Sequence, residues 1–166
     1  MRILGVDPGK DGGAVILDEA GVVIAKEVMF LNSSEEFDPV AYEAFIQTHG
    51  PVNHAFVELV HAIHKTSAKT MFNFGQAFMF AHLLPRLLKI PMTLVPPKQW
   101  QKVIHVGVDM KLPAKERSLI IFNRQYPGLD VRRTERCKTQ HDGMIDALHI
   151  CEFGRRTLLG VQNGKV

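Results

Sequence analysis

The sequence predicts an α/β protein, a mixed five-stranded sheet flanked by helices, folded as one domain over residues 1–166. Three observations lead there. The chain is 166 residues long, with 46% hydrophobic and 22% charged positions, which is enough for one self-sufficient core and an ordinary globular mixture. Short apolar runs separated by glycine turns come first, and apolar runs alternating with helical segments follow, in the order βββαβαβααα. No repeat, low-complexity tract or linker interrupts that order.

Residues 2–7 read as a buried strand that ends on a carboxylate, Asp7. The turn over 8–13 leads to a second strand at 14–17, and Glu19-Ala20-Gly21 turns the chain into a third at 22–30, completing a meander. Residues 39–48 form a helix, with Asp38 as its cap and Pro39 at its first position. A fourth strand covers 54–60. The helix over 67–89 has ten apolar residues among the fourteen from Met71 to Leu84, more than one buried stripe requires, with Pro85 placed to kink it. It is too short to span a membrane, so it is expected to be covered on two sides, one of them at a subunit interface. A fifth strand at 91–95, helices at 97–104 and 113–126, a basic loop at 127–140 and a last helix at 141–159 finish the chain.

Composition narrows the function classes. Two cysteines, Cys137 and Cys151, exclude a disulfide framework and a four-cysteine zinc site, and they suit a reducing compartment. The opening residues carry no apolar signal segment, so a cytoplasmic location is expected. The net charge of +3 is unevenly spread: residues 1–60 hold three Lys/Arg against ten Asp/Glu (−7), and residues 61–166 hold seventeen against seven (+10). A strongly basic half points to a polyanionic partner.

Carboxylates stand where they are costly. Asp7 ends one apolar strand and Glu58 lies inside another, and an unpaired buried carboxylate costs several kcal/mol, on the order of the penalty for any buried charge. As purely structural residues, Asp7 would cap the amides of Gly9 or Lys10, and Glu58 would sit in a salt bridge or on an exposed edge strand. Asp142 and Asp146 are four apart, so one helix face carries both, although an aspartate at a helix start also caps amides. Four acids from two strands and a helix would either raise their own pKa values or bind divalent cations, and oxygen-only ligands favour Mg²⁺ or Mn²⁺ over zinc. Two such ions roughly 3.5–4 Å apart suit phosphodiester cleavage.

With these residues assembled, the chain resembles the RuvC-type Holliday junction resolvases of the RNase H-like superfamily. Ile3-Leu4-Gly5-Val6-Asp7-Pro8-Gly9 opening a meander is similar to the family's start, and the strand carrying Glu58 to its second acid. Gly75-Gln76-Ala77 in the long helix resembles its interface helix. The segment from Val95 to Lys102, followed by Lys115, is similar to its two basic DNA-contacting positions, and the closing Asp-x-x-x-Asp-Ala-Leu to its final acid pair. The resemblance runs from Arg2 to about Phe153. It implies an RNase H-like fold, a homodimer through the 67–89 helix, Mg²⁺ dependence, and symmetric cutting of two opposed strands at a four-way junction. It assigns Asp7, Glu58, Asp142 and Asp146 as catalytic metal ligands. The family commonly spaces its last two acids by three residues, which lands here on Gly143; Asp142 is one residue further away on the same helix face. His141 is either an auxiliary ligand or general base, or a helix-start residue.

The basic half supplies the expected DNA contacts: Lys98 and Lys102 four apart on a helix, Lys111 and Lys115 flanking Pro113, and Arg132, Arg133, Arg136 and Lys138 crowded before the last helix. Lys115 would come close enough to the acids to stabilise developing charge. His61, His64 and Lys65 follow the Glu58 strand; each histidine singly reads as an ordinary surface residue, the alternative being a loop that enters the junction or contacts bases, and oxygen-rich surroundings argue against a zinc pair. Trp100 and Phe72 read as core or interface residues rather than base-stacking platforms. The alternatives are a nuclease for flaps or replication forks and a non-catalytic junction-binding protein. An actin-like ATPase would need a second domain and a later glycine-rich site.

Overall fold

The computed structural model describes residues 1–61 and 66–161. Strands β1 (Arg2–Asp7), β2 (Gly13–Asp18), β3 (Val23–Val28), β4 (His54–Glu58) and β5 (Met92–Val95) form one sheet in the order β3-β2-β1-β4-β5. The β1–β2–β3 meander is antiparallel, whereas β4 and β5 run parallel to β1, so the sheet is mixed as expected. Helices α1 (Pro39–Thr48), α2 (Ala68–Leu87), α3 (Pro97–Ile104), α4 (Ala114–Gln125) and α5 (Asp142–Leu159) cover its two faces. None is long and apolar enough to cross a membrane.

Alternation along the strands sorts side chains into two cores. Ile3, Val15, Leu17 and Phe56 face α5, where they pack with Trp100, Ile121, Phe122, Ile145 and Leu148. Leu4, Val6, Ile16 and Val57 face the other way, against Tyr42, Phe45, Ile46 and Ala81 of α1 and α2. The Asp38 carboxylate caps α1 by accepting from the amides of Val40 and Ala41, each at 3.0 Å. In α2, Pro85 has no N–H for the carbonyl of Ala81. The buried Tyr42 hydroxyl donates to that carbonyl instead, at 3.2 Å, and the helix continues to Leu87.

Helices α5 and α2 differ in how the chain covers them. The helix enclosed on two sides is α5, whose residues from Gly143 to Gly154 are all buried except the partly exposed Asp146. It lies across β1, β2 and β4 with α3 and α4 over its outer side. Close approach depends on Gly5, where a Cβ would lie 2.5 Å from the Cβ of Cys151. Helix α2 is covered on one side only and leaves Phe72, Met79, Leu83 and Leu87 exposed. Their spacing of seven, four and four places them on one face.

Candidate active site

The parallel pairing of β1 and β4 sets Val6 opposite Val57, so Asp7 and Glu58 come next on adjacent strands. Both have the parity of residues facing α5: Asp7 follows Ile3 and Gly5, and Glu58 follows Phe56. The first turns of α5 reach the same end of the sheet and bring Asp142 and Asp146. The four predicted acids therefore share one edge of the α5 face. Strand β4 is interior, so the edge-strand reading of Glu58 does not hold.

Their electrostatics are those of a crowded anionic site. Burial, with Glu58 and Asp146 as neighbouring charges, pushes Asp7 well above the usual carboxylate range. Its side chain accepts no hydrogen bond among the described residues, so it does not cap Gly9 or Lys10. Desolvation raises Glu58 despite a hydrogen bond from Trp100, whose Nε1 donates to Oε1 at 2.7 Å. Desolvation likewise lifts Asp146 to about 6, although the Ser118 hydroxyl donates to its Oδ1 at 2.8 Å. Asp142 is exposed and accepts from Lys115 Nζ at 2.8 Å. Among the described residues, no three His, Cys, Asp or Glu side chains form a ready-made metal group. The four acids share an edge, and three of them accept from separate partners: Glu58 from Trp100, Asp142 from Lys115 and Asp146 from Ser118. Their donor set fits a hard divalent cation all the same: it is oxygen only, three of the four acids are desolvated, and Asp7 accepts no hydrogen bond among the described residues.

The start of α5 bears on the fourth acid. His141 is the cap, its Nδ1 accepting from the Met144 amide at 3.2 Å, so Asp142 is free of that duty. A Cβ at Gly143 would lie 2.6 Å from the Cα of Gly12 in the β1–β2 turn. A side chain at the position three before Asp146 would collide with that turn, whereas Asp142, four before it, is exposed.

Two cavities flank the β1–β2 turn. One, of about 540 Å³, is lined by Asp7, Glu58, Leu59, His61, Phe74 and Pro97. The other, of about 670 Å³, is lined by Lys115, Arg133, Cys137, His141 and Asp142 among others. Of the predicted cations, Lys115 and Arg133 line this cleft, and Arg133 donates to Asp11 at 2.8 Å. Lys98, Lys102, Lys111, Arg136 and Lys138 are exposed, with no side-chain ion pair among the described residues. Arg132 is committed elsewhere: it grips Asp130 with Nε and Nη2 and donates to the carbonyls of Glu135 and Cys137, folding the basic loop. His64 and Lys65 lie outside the described residues. Sequence reasoning missed Ser118, His105 and His149 behind the acids. All three are buried polar residues, and apart from His149, one turn after Asp146, nothing in the sequence linked them to the site.

No protein-family model and no curated protein sequence matches the chain. The fold does have counterparts. The architecture is RNase H-like α/β, and the solved structures it resembles are RuvC proteins and a related resolvase. The RuvC of Thermus thermophilus in complex with a Holliday junction substrate aligns with a TM-score of 0.64 at 14% identity, over 96% of this chain and 97% of that one. A second structure of Thermus thermophilus RuvC gives 0.62 at 18% identity with the same coverage. The yeast mitochondrial Holliday junction resolvase Ydc2 gives 0.58 at 14%, over 93% of this chain and 77% of its own. The chain has the RuvC fold.

Proposed function

We propose that the chain is a Mg²⁺-dependent endonuclease that resolves Holliday junctions by cutting two opposed strands symmetrically. The observation that carries this reading is the gathering of Asp7, Glu58, Asp142 and Asp146 at one sheet edge, on a fold shared with junction resolvases. Asp7, Glu58 and Asp146 would hold the ions, with Asp142 completing the set from the rim; two ions per site are expected, and Mn²⁺ should substitute. The chemistry supplied by bound Mg²⁺ is water activation and stabilisation of the leaving oxygen. Lys115, beside Asp142, neutralises charge on the scissile phosphate. Arg133 positions the cut strand along the wider cavity. Lys98, Lys102, Lys111, Arg136 and Lys138 hold flanking phosphates, and Arg132 keeps their loop in shape.

A homodimer through the 67–89 helix supplies the symmetry. The exposed face of Phe72, Met79, Leu83 and Leu87 supports it, as does Gly75 on the same helix. A glycine inside a helix costs about 1 kcal/mol relative to alanine. Nothing in the described chain lies within 4 Å of a Cβ at Gly75, so the chain's own packing does not require it there. A second backbone approaching closely would.

The deciding experiment incubates the protein with Mg²⁺ and a four-way junction, a flap, a fork and a linear duplex. Paired, symmetric nicks on the junction alone are expected. Preferential cutting of flaps or forks would make it a different branched-DNA nuclease, and binding without any cut would make it an architectural protein.

A further inference from the structure

Behind the acids lies a layer of buried polar side chains that the proposed chemistry does not itself use. Trp100, on the inner face of α3, is 1% exposed, and its indole N–H reaches Glu58 rather than a backbone carbonyl. A buried indole needs such an acceptor, but only a few placements aim it at an acid. Ser118, on the inner face of α4 and 4% exposed, donates its hydroxyl proton to Asp146. That proton is the only one the hydroxyl has, so the 3.1 Å contact between Ser118 Oγ and His105 Nε2 requires the ring to donate. His149 Nε2 lies 2.9 Å from the Ser118 carbonyl, which can only accept, so this ring also carries its proton on Nε2. Two imidazoles thus grip Ser118, one at its hydroxyl and one at its backbone. Trp100 ties them together, its ring 5.4 Å from that of His105 and 6.2 Å from that of His149.

The consequence for the acids is specific. Glu58 and Asp146 each have one oxygen fixed by a neutral donor and a second that accepts no hydrogen bond among the described residues. A neutral donor orients a carboxylate without cancelling its charge, as an arginine or lysine would. Fixed outer-shell donors of this kind limit a ligand's rotation and thereby raise its affinity for a cation.

We infer that Trp100, and Ser118 with His105 behind it, are positioning residues that hold Glu58 and Asp146 in the orientation that binds the divalent cation. This rests on the metal-nuclease reading above. It adds that cation affinity is set by α3 and α4, through groups that do not themselves hold the ion.

The test compares the full chain with Trp100→Phe, which keeps the ring and removes the N–H, and with Ser118→Ala, which removes one oxygen. Mn²⁺ binding to the DNA-free protein is measured by calorimetry, alongside thermal unfolding and the Mn²⁺ dependence of junction cleavage. Each variant should bind Mn²⁺ roughly 10–100-fold more weakly, the usual effect of losing an outer-shell partner. Cleavage should recover at higher Mn²⁺, and unfolding should stay near that of the parent. Unchanged Mn²⁺ affinity in folded variants overturns the inference, whatever happens to stability. If Trp100→Phe fails to fold, Ser118→Ala decides alone. A parent protein that neither binds Mn²⁺ nor cuts DNA would instead overturn the metal-nuclease reading.

Discussion

The two sides of the cleft are built differently. The acid side consists of strand ends and a helix held in a closed core, with Trp100, Ser118, His105 and His149 packed behind Glu58 and Asp146. The cationic side consists of exposed side chains on α3, the 127–140 loop and the start of α4, mostly without an ion-pair partner among the described residues. Burial raises the pKa values of Asp7, Glu58 and Asp146, whereas most of the cations stand exposed to solvent. Chemistry should therefore depend steeply on single residues of the first side, and affinity should be shared among many residues of the second.

The sharpest way to break that contrast is Asp7→Asn. Asp7 is held well above the usual carboxylate range by burial and is the one of the four acids whose side chain accepts no hydrogen bond among the described residues, so its charge has no structural duty there. Junction cleavage should fall to background while junction binding by gel shift is retained. Loss of both, in a protein that still unfolds cooperatively, would show that the sides are not separable.

A second test concerns position 143. Exchanging the acids, with Asp142→Asn and Gly143→Asp together, restores the spacing that the resolvase family commonly uses. The new side chain would have to displace the backbone at Asp11 and Gly12, and overpacking of this kind costs roughly 1–3 kcal/mol. For a domain this size each kcal/mol lowers Tm by roughly 2–4 °C. The exchanged protein should be destabilised by that amount and should not recover the cleavage that Asp142→Asn loses. Recovery would mean that the β1–β2 turn gives way more readily than its packing implies.

Most of this architecture was legible in the sequence, for identifiable reasons. Short apolar runs ending on Asp7 and Glu58 fixed the strands, and glycine turns fixed the meander. Asp7 and Glu58 were readable because a carboxylate in an apolar run is conspicuous, and Asp142 and Asp146 because four residues apart they share one helix face. Ser118 and His105 were not: a serine in a helix and a histidine at a helix end are unremarkable until α4 is packed on α5 and the partner comes from 28 residues away. The burial of α5 was missed for a related reason. Polar Asp146, His149 and Glu152 broke its apolar pattern, and only the packed structure shows Glu152 neutralised by Arg155 and Arg156. Arg132 looked like its neighbours because its partner, Asp130, is two residues away in a loop whose shape the sequence does not state.

The acid side also makes a prediction about pH. Burial lowers His105 and His149 to about 4, so the unfolded chain takes up more protons than the folded one between pH 6.5 and 4. Their contribution is present above pH 6.5 and is lost as pH falls through that window; for the deeply buried His149 the loss is up to roughly 3 kcal/mol at 1.36 kcal/mol per unit. Asp146 acts in the opposite sense. Its folded pKa is raised, so acidification through about pH 6 relieves an unfavourable buried charge. Urea unfolding at pH 7, 5.5 and 4.5 should show a shallower loss of stability in His149→Gln than in the parent, and a steeper one in Asp146→Asn. Parallel pH profiles would mean that these groups are not buried as described.

The smallest expected effects belong to the cationic side, and they separate Arg136 from Arg132. Arg136 is exposed with no side-chain partner among the described residues, so its positive charge is available to phosphate. Removing it should weaken junction binding at every sequence alike and lower the slope of log K against log salt by about one phosphate contact, roughly 0.9. Arg132 already faces a carboxylate with paired bonds of 2.7 to 3.0 Å, which also hold Asp130 near a pKa of 2. Its alanine variant should loosen the loop before it changes the salt slope, appearing first as faster proteolysis within residues 127–140. Equal salt slopes for the two variants would place Arg132 on the DNA as well. The basic side would then contain no residue spent purely on its own folding, and the division of labour across the cleft would rest on the acids alone.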